Sequence, residues 1–127
     1  MNSKILSQIT QTPISTIRYY EKIGLIPEPD RKTNNYRDYS DKYVTRLQFI
    51  NYLSTLGFTL MEIKTMFEKV YQDQLTQNYI LEKITEQEAK IQEQLKSLVT
   101  LQEKLKQDTR DFPISDELIA KIISWIA

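Results

Sequence analysis

The chain has 127 residues, of which 40% are hydrophobic and 27% charged, with 17 Lys and Arg balanced by 17 Asp and Glu. This is the composition of a soluble globular protein, and no apolar run approaches the ~18 residues of a membrane span. Cys and His are both absent, which excludes disulfides, thiolate metal sites, Cys nucleophiles and the commonest general base.

With no signal-peptide pattern at its start, the chain is expected to be cytoplasmic. The charge is not evenly spread. Residues 1–70 hold 10 Lys and Arg against 7 Asp and Glu, whereas residues 71–127 hold 7 against 10. The sign favours an N-terminal half that meets an anion.

Lys4 to Gln8 opens a short helix with Ile5, Leu6 and Ile9 as its apolar positions. In the TQTP that follows, Thr12 is placed to cap a second helix with Pro13 at its first position. That helix is predicted from about Pro13 to Ile23, with Ile14, Ile17 and either Tyr20 or Ile23 facing inward. Gly24 is placed to end it in a left-handed conformation. Helix, short turn, helix is the layout in which a second helix enters a major groove.

Pro27 and Pro29 forbid a continuing helix. Asn34-Asn35, a dipeptide that tolerates positive φ, then predicts a small β-hairpin with tyrosines on its second strand. Ser40 or Asp41 is expected to cap a helix carrying Val44, Leu47, Phe49, Ile50 and Leu53. Gly57 breaks that helix, and Thr59 with Glu62 has capping-box spacing ahead of Leu60, Ile63, Met66 and Phe67.

From about Gln74 to Asp108 there is no Gly or Pro. One heptad series is Leu81, Glu88, Leu95, Gln102 and the other Ile84, Ile91, Leu98, Leu105, so six of eight seam positions are apolar. A helix of ~35 residues extends ~50 Å and is too long for a 70-residue domain to cover. A second copy of the chain is therefore the expected partner, the alternative being a helix folded back on its own domain. In the tail, Pro113 makes a break and Ser115 is expected to cap a short apolar helix ending near Trp125. Asp116 and Glu117 fall in its first turn, where negative charge suits the helix N-terminus.

Two elements each present Arg with Tyr. Neighbouring helix positions lie roughly 100° apart, so Tyr19 and Tyr20 cannot share one buried face. Arg18 and the outward tyrosine are candidates for phosphate and base contacts, and which tyrosine faces outward is left open. Tyr36, Arg37 and Tyr39 repeat the pattern on the hairpin, after Arg31 and Lys32. A single such pair reads more readily as a half-buried Tyr beside a surface Arg. Two sets after a helix-turn-helix pattern favour a duplex followed along its backbone.

TIRYYEKIGLIPEPDR, NNYRDYS and LQFINYLSTLGFTLMEIKTMF resemble, in unbroken register over about residues 3–70, the DNA-binding domain of MerR-family transcription regulators. The resemblance implies a mainly α protein with three parts. A winged helix-turn-helix with a small β-hairpin wing spans 1–72, a long antiparallel coiled-coil dimerisation helix 73–109, and a short C-terminal tail helix 110–127. It further implies a homodimer on a pseudo-palindromic double-stranded DNA operator, acting with RNA polymerase by bending and untwisting an over-long promoter. Carried over residue by residue, the contacts fall to Arg18, Tyr19 or Tyr20, Arg31, Tyr36 and Arg37, while Ser15 and Thr16 are added from helix geometry. The dimer seam falls to Leu81, Ile84, Ile91, Leu95, Leu98 and Leu105.

The sequence departs from the family pattern in places. Gln11 stands where a Gly is usual, so either it is left-handed at some cost or the turn differs. Pro13 stands at the usual Ser cap, and Asn51, Ser54 and Thr55 are neutral where relatives often carry a base. Without Cys, the family's thiolate-based sensing of metals and oxidants is excluded. No cofactor is expected, and a small-molecule effector, if one exists, is unidentified. Phe112, Ile114, Leu118, Ile122 and Trp125 read more readily as packing than as its site. With no phosphate-cradling glycine loop and no acid–base pair, an enzyme is not expected. The rival reading is a coiled-coil interaction or architectural protein without promoter-specific regulation.

Overall fold

Helix α1 (Ser3–Thr10) begins where the Asn2 side chain accepts the Ile5 N–H at 2.9 Å in the computed structural model, which describes residues 1–107 and 115–126. It buries Leu6 and Thr10 and stops at Gln11, whose φ of +53° is left-handed, the first of the two alternatives open to it. The chain divides into two compact units, Met1–Leu81 and Glu82–Ala127.

Helix α2 (Ile14–Lys22) follows at once, but its cap differs from expectation. Pro13 holds the cap position and no side chain caps the helix. The Thr12 hydroxyl is instead buried, donating to the Thr10 carbonyl at 3.2 Å and accepting from Asn51 Nδ2 at 3.0 Å. A tertiary partner 39 residues away outcompetes the local capping bond. At the other end Gly24 has φ of +75°, and the Leu25 N–H returns to the Tyr20 carbonyl at 2.9 Å. A Cβ at Gly24 would meet Lys64 only at 3.7 Å. The backbone conformation, not crowding, is what calls for glycine here.

Strands β1 (Asp30–Arg31) and β2 (Arg37–Asp38) pair antiparallel, Asp30 opposite Asp38 and Arg31 opposite Arg37. Asn35 takes the positive φ, +67°, and its N–H closes onto the Lys32 carbonyl at 2.8 Å. The end of the hairpin is moored to the residue pair ahead of α1 by the Tyr39 N–H, which donates to the Met1 carbonyl at 2.7 Å.

Helix α3 (Asp41–Thr55) has Ser40 at its cap position without a side-chain bond and buries Tyr43, Leu47, Ile50 and Leu53. Gly57 turns the chain at φ +86°. Helix α4 (Leu60–Tyr71) then starts with the full capping box: the Glu62 N–H donates to Thr59 Oγ1 at 3.2 Å and the Thr59 N–H to Glu62 Oε1 at 3.1 Å. Leu6, Ile17, Leu25, Ile26, Leu47, Ile50 and Ile63 are fully buried where these helices meet. Each such side chain contributes about 1.5–3 kcal/mol by leaving water. Tyr39 joins them, set edge-on to Tyr43 at 5.1 Å.

Helix α5 (Gln77–Gln107) is 31 residues long, or ~46 Å, and Thr76 Oγ1 accepts its Tyr79 N–H at 3.1 Å. The six apolar seam residues Leu81, Ile84, Ile91, Leu95, Leu98 and Leu105 are 40–64% exposed. Helix α6 (Asp116–Ile126) is capped as expected by Ser115, whose Oγ accepts the Leu118 N–H at 3.4 Å. Within the second unit Lys104 Nζ donates to the Trp125 carbonyl at 3.2 Å, so the end of α6 lies against α5. The break at Pro113 and the packing positions Phe112 and Ile114 lie outside the described residues.

Candidate nucleic-acid interface

The start of α1, one face of α2 and the hairpin enclose a groove of about 640 Å³. Its chemistry is one-sided. Lys4, Arg18, Arg31, Lys32 and Arg37 line it, together with Tyr36, and no carboxylate does. Each cation arrives by a different route. Lys4 and Arg18 project from α1 and α2 on turns that leave Leu6 and Ile17 in the core. Arg31 and Arg37 face one another across the β-ladder, and Lys32 begins the turn.

Two of these side chains are held by the protein. Arg31 Nη1 donates to the Asn35 carbonyl at 3.0 Å, across its own turn. Arg37 Nε donates to Glu21 Oε2 at 3.2 Å, an ion pair whose carboxylate is only 4% exposed. The second oxygen of Glu21 accepts the Tyr39 hydroxyl at 2.7 Å. Glu21 therefore joins the end of α2 to the hairpin through both of its oxygens.

The two tyrosines of α2 separate. Tyr20 is 8% exposed and belongs to the core, and burial pushes its hydroxyl up from the usual tyrosine range. Tyr19 is half exposed, its ring centroid 6.4 Å from that of Tyr20. On the hairpin, Tyr36 is 70% exposed at the mouth of the groove, whereas Tyr39 is buried with its pKa raised by burial and then by Glu21.

Of the residues singled out from sequence, the groove brings together Arg18, Arg31, Tyr36 and Arg37. Ser15 and Tyr19 are exposed and Thr16 half-buried, but none of the three lines it. Lys4, Asn34 and Asn35 line it without having been anticipated as contacts. Lys4 carries no local signal, because only the folding of α1 beside the hairpin brings it there. Glu21 was equally silent, since its partners lie 16 and 18 residues further on. Among the described residues no group of three or more acidic side chains is placed to hold a metal ion. Nor is any described helix long and apolar enough to cross a membrane.

A five-cation groove between a helix and a hairpin suits a polyanion with spaced charges. Two family models match the chain: "MerR HTH family regulatory protein" over residues 1–70 and "MerR, DNA binding" over residues 44–107. Among curated proteins, a mercuric resistance operon regulatory protein of Bacillus cereus is 52% identical over 59 residues. That match covers 46% of this chain and only 45% of the relative. The HTH-type transcriptional regulator HmrR of Rhizobium leguminosarum bv. viciae is 35% identical, over 93% of this chain and 97% of its own. Among solved structures, the transcription regulator PbrR691 of Ralstonia metallidurans CH34, in complex with lead(II), superposes with a TM-score of 0.73 at 27% identity. That superposition covers 87% of this chain and 91% of PbrR691. EcmrR, in an EcmrR–DNA complex within EcmrR-RPo, gives 0.62 at 26% identity, over 84% of this chain and 37% of EcmrR.

Proposed function

This chain belongs to the MerR family of helix-turn-helix regulatory proteins, and we propose that it is a promoter-binding transcription regulator that works as a homodimer. The observation that carries this reading is the groove in which Lys4, Arg18, Arg31, Lys32 and Arg37 converge without a carboxylate among its lining. Arg18 and Tyr19 on α2, and Arg31, Tyr36 and Arg37 on the hairpin, are the proposed phosphate and groove contacts. Ser15 and Thr16 are assigned to the same approach along α2, and Tyr20 supports it from the core.

Residues 1–72 form the DNA-reading part of this scheme, 73–109 the dimerisation helix and 110–127 the tail. The exposed apolar seam of α5 supports pairing with a second copy, because such a stripe gains most by burying itself against its like. Two copies related by a two-fold axis read a pseudo-palindromic operator. The EcmrR–DNA complex supports RNA polymerase as a further partner, and distortion of the promoter is the means of control we propose. These 127 residues contain no Cys, so no thiolate within them reads a signal as in a Cys-based metal or redox sensor. No catalytic role is assigned, and the working place of such a regulator is the cytoplasm.

Footprinting on the DNA upstream of its own gene tests the reading. Salt-dependent protection across a two-fold site between promoter elements is expected. Duplex binding that is absent at every salt concentration would overturn it in favour of a coiled-coil interaction protein.

A further inference from the structure

Glu21 is out of place by charge. It is a carboxylate beside a groove whose charged lining residues are all cations, and a carboxylate near a phosphate chain repels it. Its geometry gives it a different part. Oε2 accepts Nε of Arg37 at 3.2 Å, and Oε1 accepts the Tyr39 hydroxyl at 2.7 Å. The Arg37 side chain is 24% exposed and lines the groove. Holding an arginine by Nε leaves the four N–H donors of its two terminal nitrogens for a ligand. Tyr39, buried and edge-on to Tyr43, fixes the carboxylate from the core side.

Resting on the promoter-binding reading above, we propose that Glu21 is a positioning residue for duplex binding. It clamps Arg37 by Nε so that the terminal nitrogens meet a backbone phosphate end-on, and it locks the hairpin to α2 at the spacing the duplex requires. Preorganisation of this kind lowers the side-chain ordering that binding would otherwise cost. The role cannot pass to lysine at position 37. A single ammonium holding Glu21 has no fork left to offer a phosphate.

The sign of the effect makes the test sharp. Glu21→Gln removes a negative charge from the interface and keeps the side-chain size. If Glu21 were only a nearby charge, duplex affinity would rise. The proposal expects a fall of about tenfold. The decisive measurement is a double-mutant cycle on an operator duplex. In an Arg37→Ala background, Glu21→Gln is expected to change affinity by less than about twofold, because the group it positions is gone. Arg37→Lys is expected to bind as weakly as Arg37→Ala. Tyr39→Phe, which removes one hydroxyl and leaves the Glu21–Arg37 pair, is expected to show an intermediate loss and guards against a Glu21 variant that fails to fold.

Unchanged or tighter binding by folded Glu21→Gln overturns the proposal. So does a loss that persists in full in the Arg37→Ala background, which would make Glu21 a fold residue only. Arg18→Ala separates this failure from a wider one. If Arg18→Ala and Arg37→Ala both bind duplex like the parent, it is the promoter-binding reading that fails.

Discussion

Asn51 on α3 reaches back to the turn between α1 and α2, where its Nδ2 donates to Thr12 Oγ1 at 3.0 Å and to the Thr10 carbonyl at 3.3 Å. Both threonines are buried, so one amide satisfies two groups that water cannot reach. The left-handed Gln11 lies between those two acceptors. Asn51 thereby staples the turn between α1 and α2 to the helix behind it.

Removing that amide leaves the buried Thr12 Oγ1 without a donor, while the Thr10 carbonyl keeps the Thr12 hydroxyl, and this costs about 1–3 kcal/mol. Asn51→Ala is therefore expected to lower the urea midpoint by that amount of free energy with an unchanged denaturant slope. A loss below about 0.3 kcal/mol would show the bond to be incidental.

Gln11→Gly should move stability the other way. A left-handed residue with a Cβ is strained by about 1–2 kcal/mol, and glycine relieves this while adding some freedom to the unfolded chain. A net gain of about 0.5–1 kcal/mol is expected in thermal unfolding. Gln11 is exposed, so no buried contact is lost in the exchange.

Alkaline pH is expected to loosen the first unit through its buried tyrosines. Burial pushes the Tyr43 hydroxyl up to about 12, and Tyr20 and Tyr39 are raised as well. A folded-state pKa above the unfolded value near 10 means the fold holds those protons more tightly. Their contribution is complete below pH 10 and is lost as pH rises through the raised folded-state values, that of Tyr43 at about 12. Tyrosinate absorbance and helix content, followed together through this range, should change in step. Tyr43→Phe should flatten the decline while costing about 1 kcal/mol at neutral pH for its bond to the Pro27 carbonyl.

The seam of α5 offers a test of association. Leu98 is 64% exposed, and Leu98→Glu places a charge where the proposed partner helix packs. Light scattering is expected to show the dimer weakened by at least about tenfold, with the first unit still folded. A dimer of unchanged strength would place the interface elsewhere.

Much of the fold could be read before any coordinates because it rests on local chemistry. The Thr59–Glu62 box, Gly24, Gly57 and Asn34-Asn35 each work within four residues, and the heptads of α5 need only their own period. What escaped reading depends on distant partners. Thr12 looked like a helix cap until Asn51 claimed its hydroxyl. Tyr19 and Tyr20 could be told apart only once the core had chosen a face of α2. The candidate site divides in the same way. Arg18, Arg31, Tyr36 and Arg37 stood out by type and repetition, whereas Lys4 and Glu21 gain their place from tertiary neighbours.

All eight tyrosines, from Tyr19 to Tyr79, fall within Met1–Leu81, and the single tryptophan, Trp125, falls in the other unit. The two units are thus optically distinct in the native chain. Red-edge excited emission reports only the α5–α6 end, and tyrosine absorbance only the helix-turn-helix end. Whether the two melt together or apart can be followed in one cuvette, without a label or a substitution.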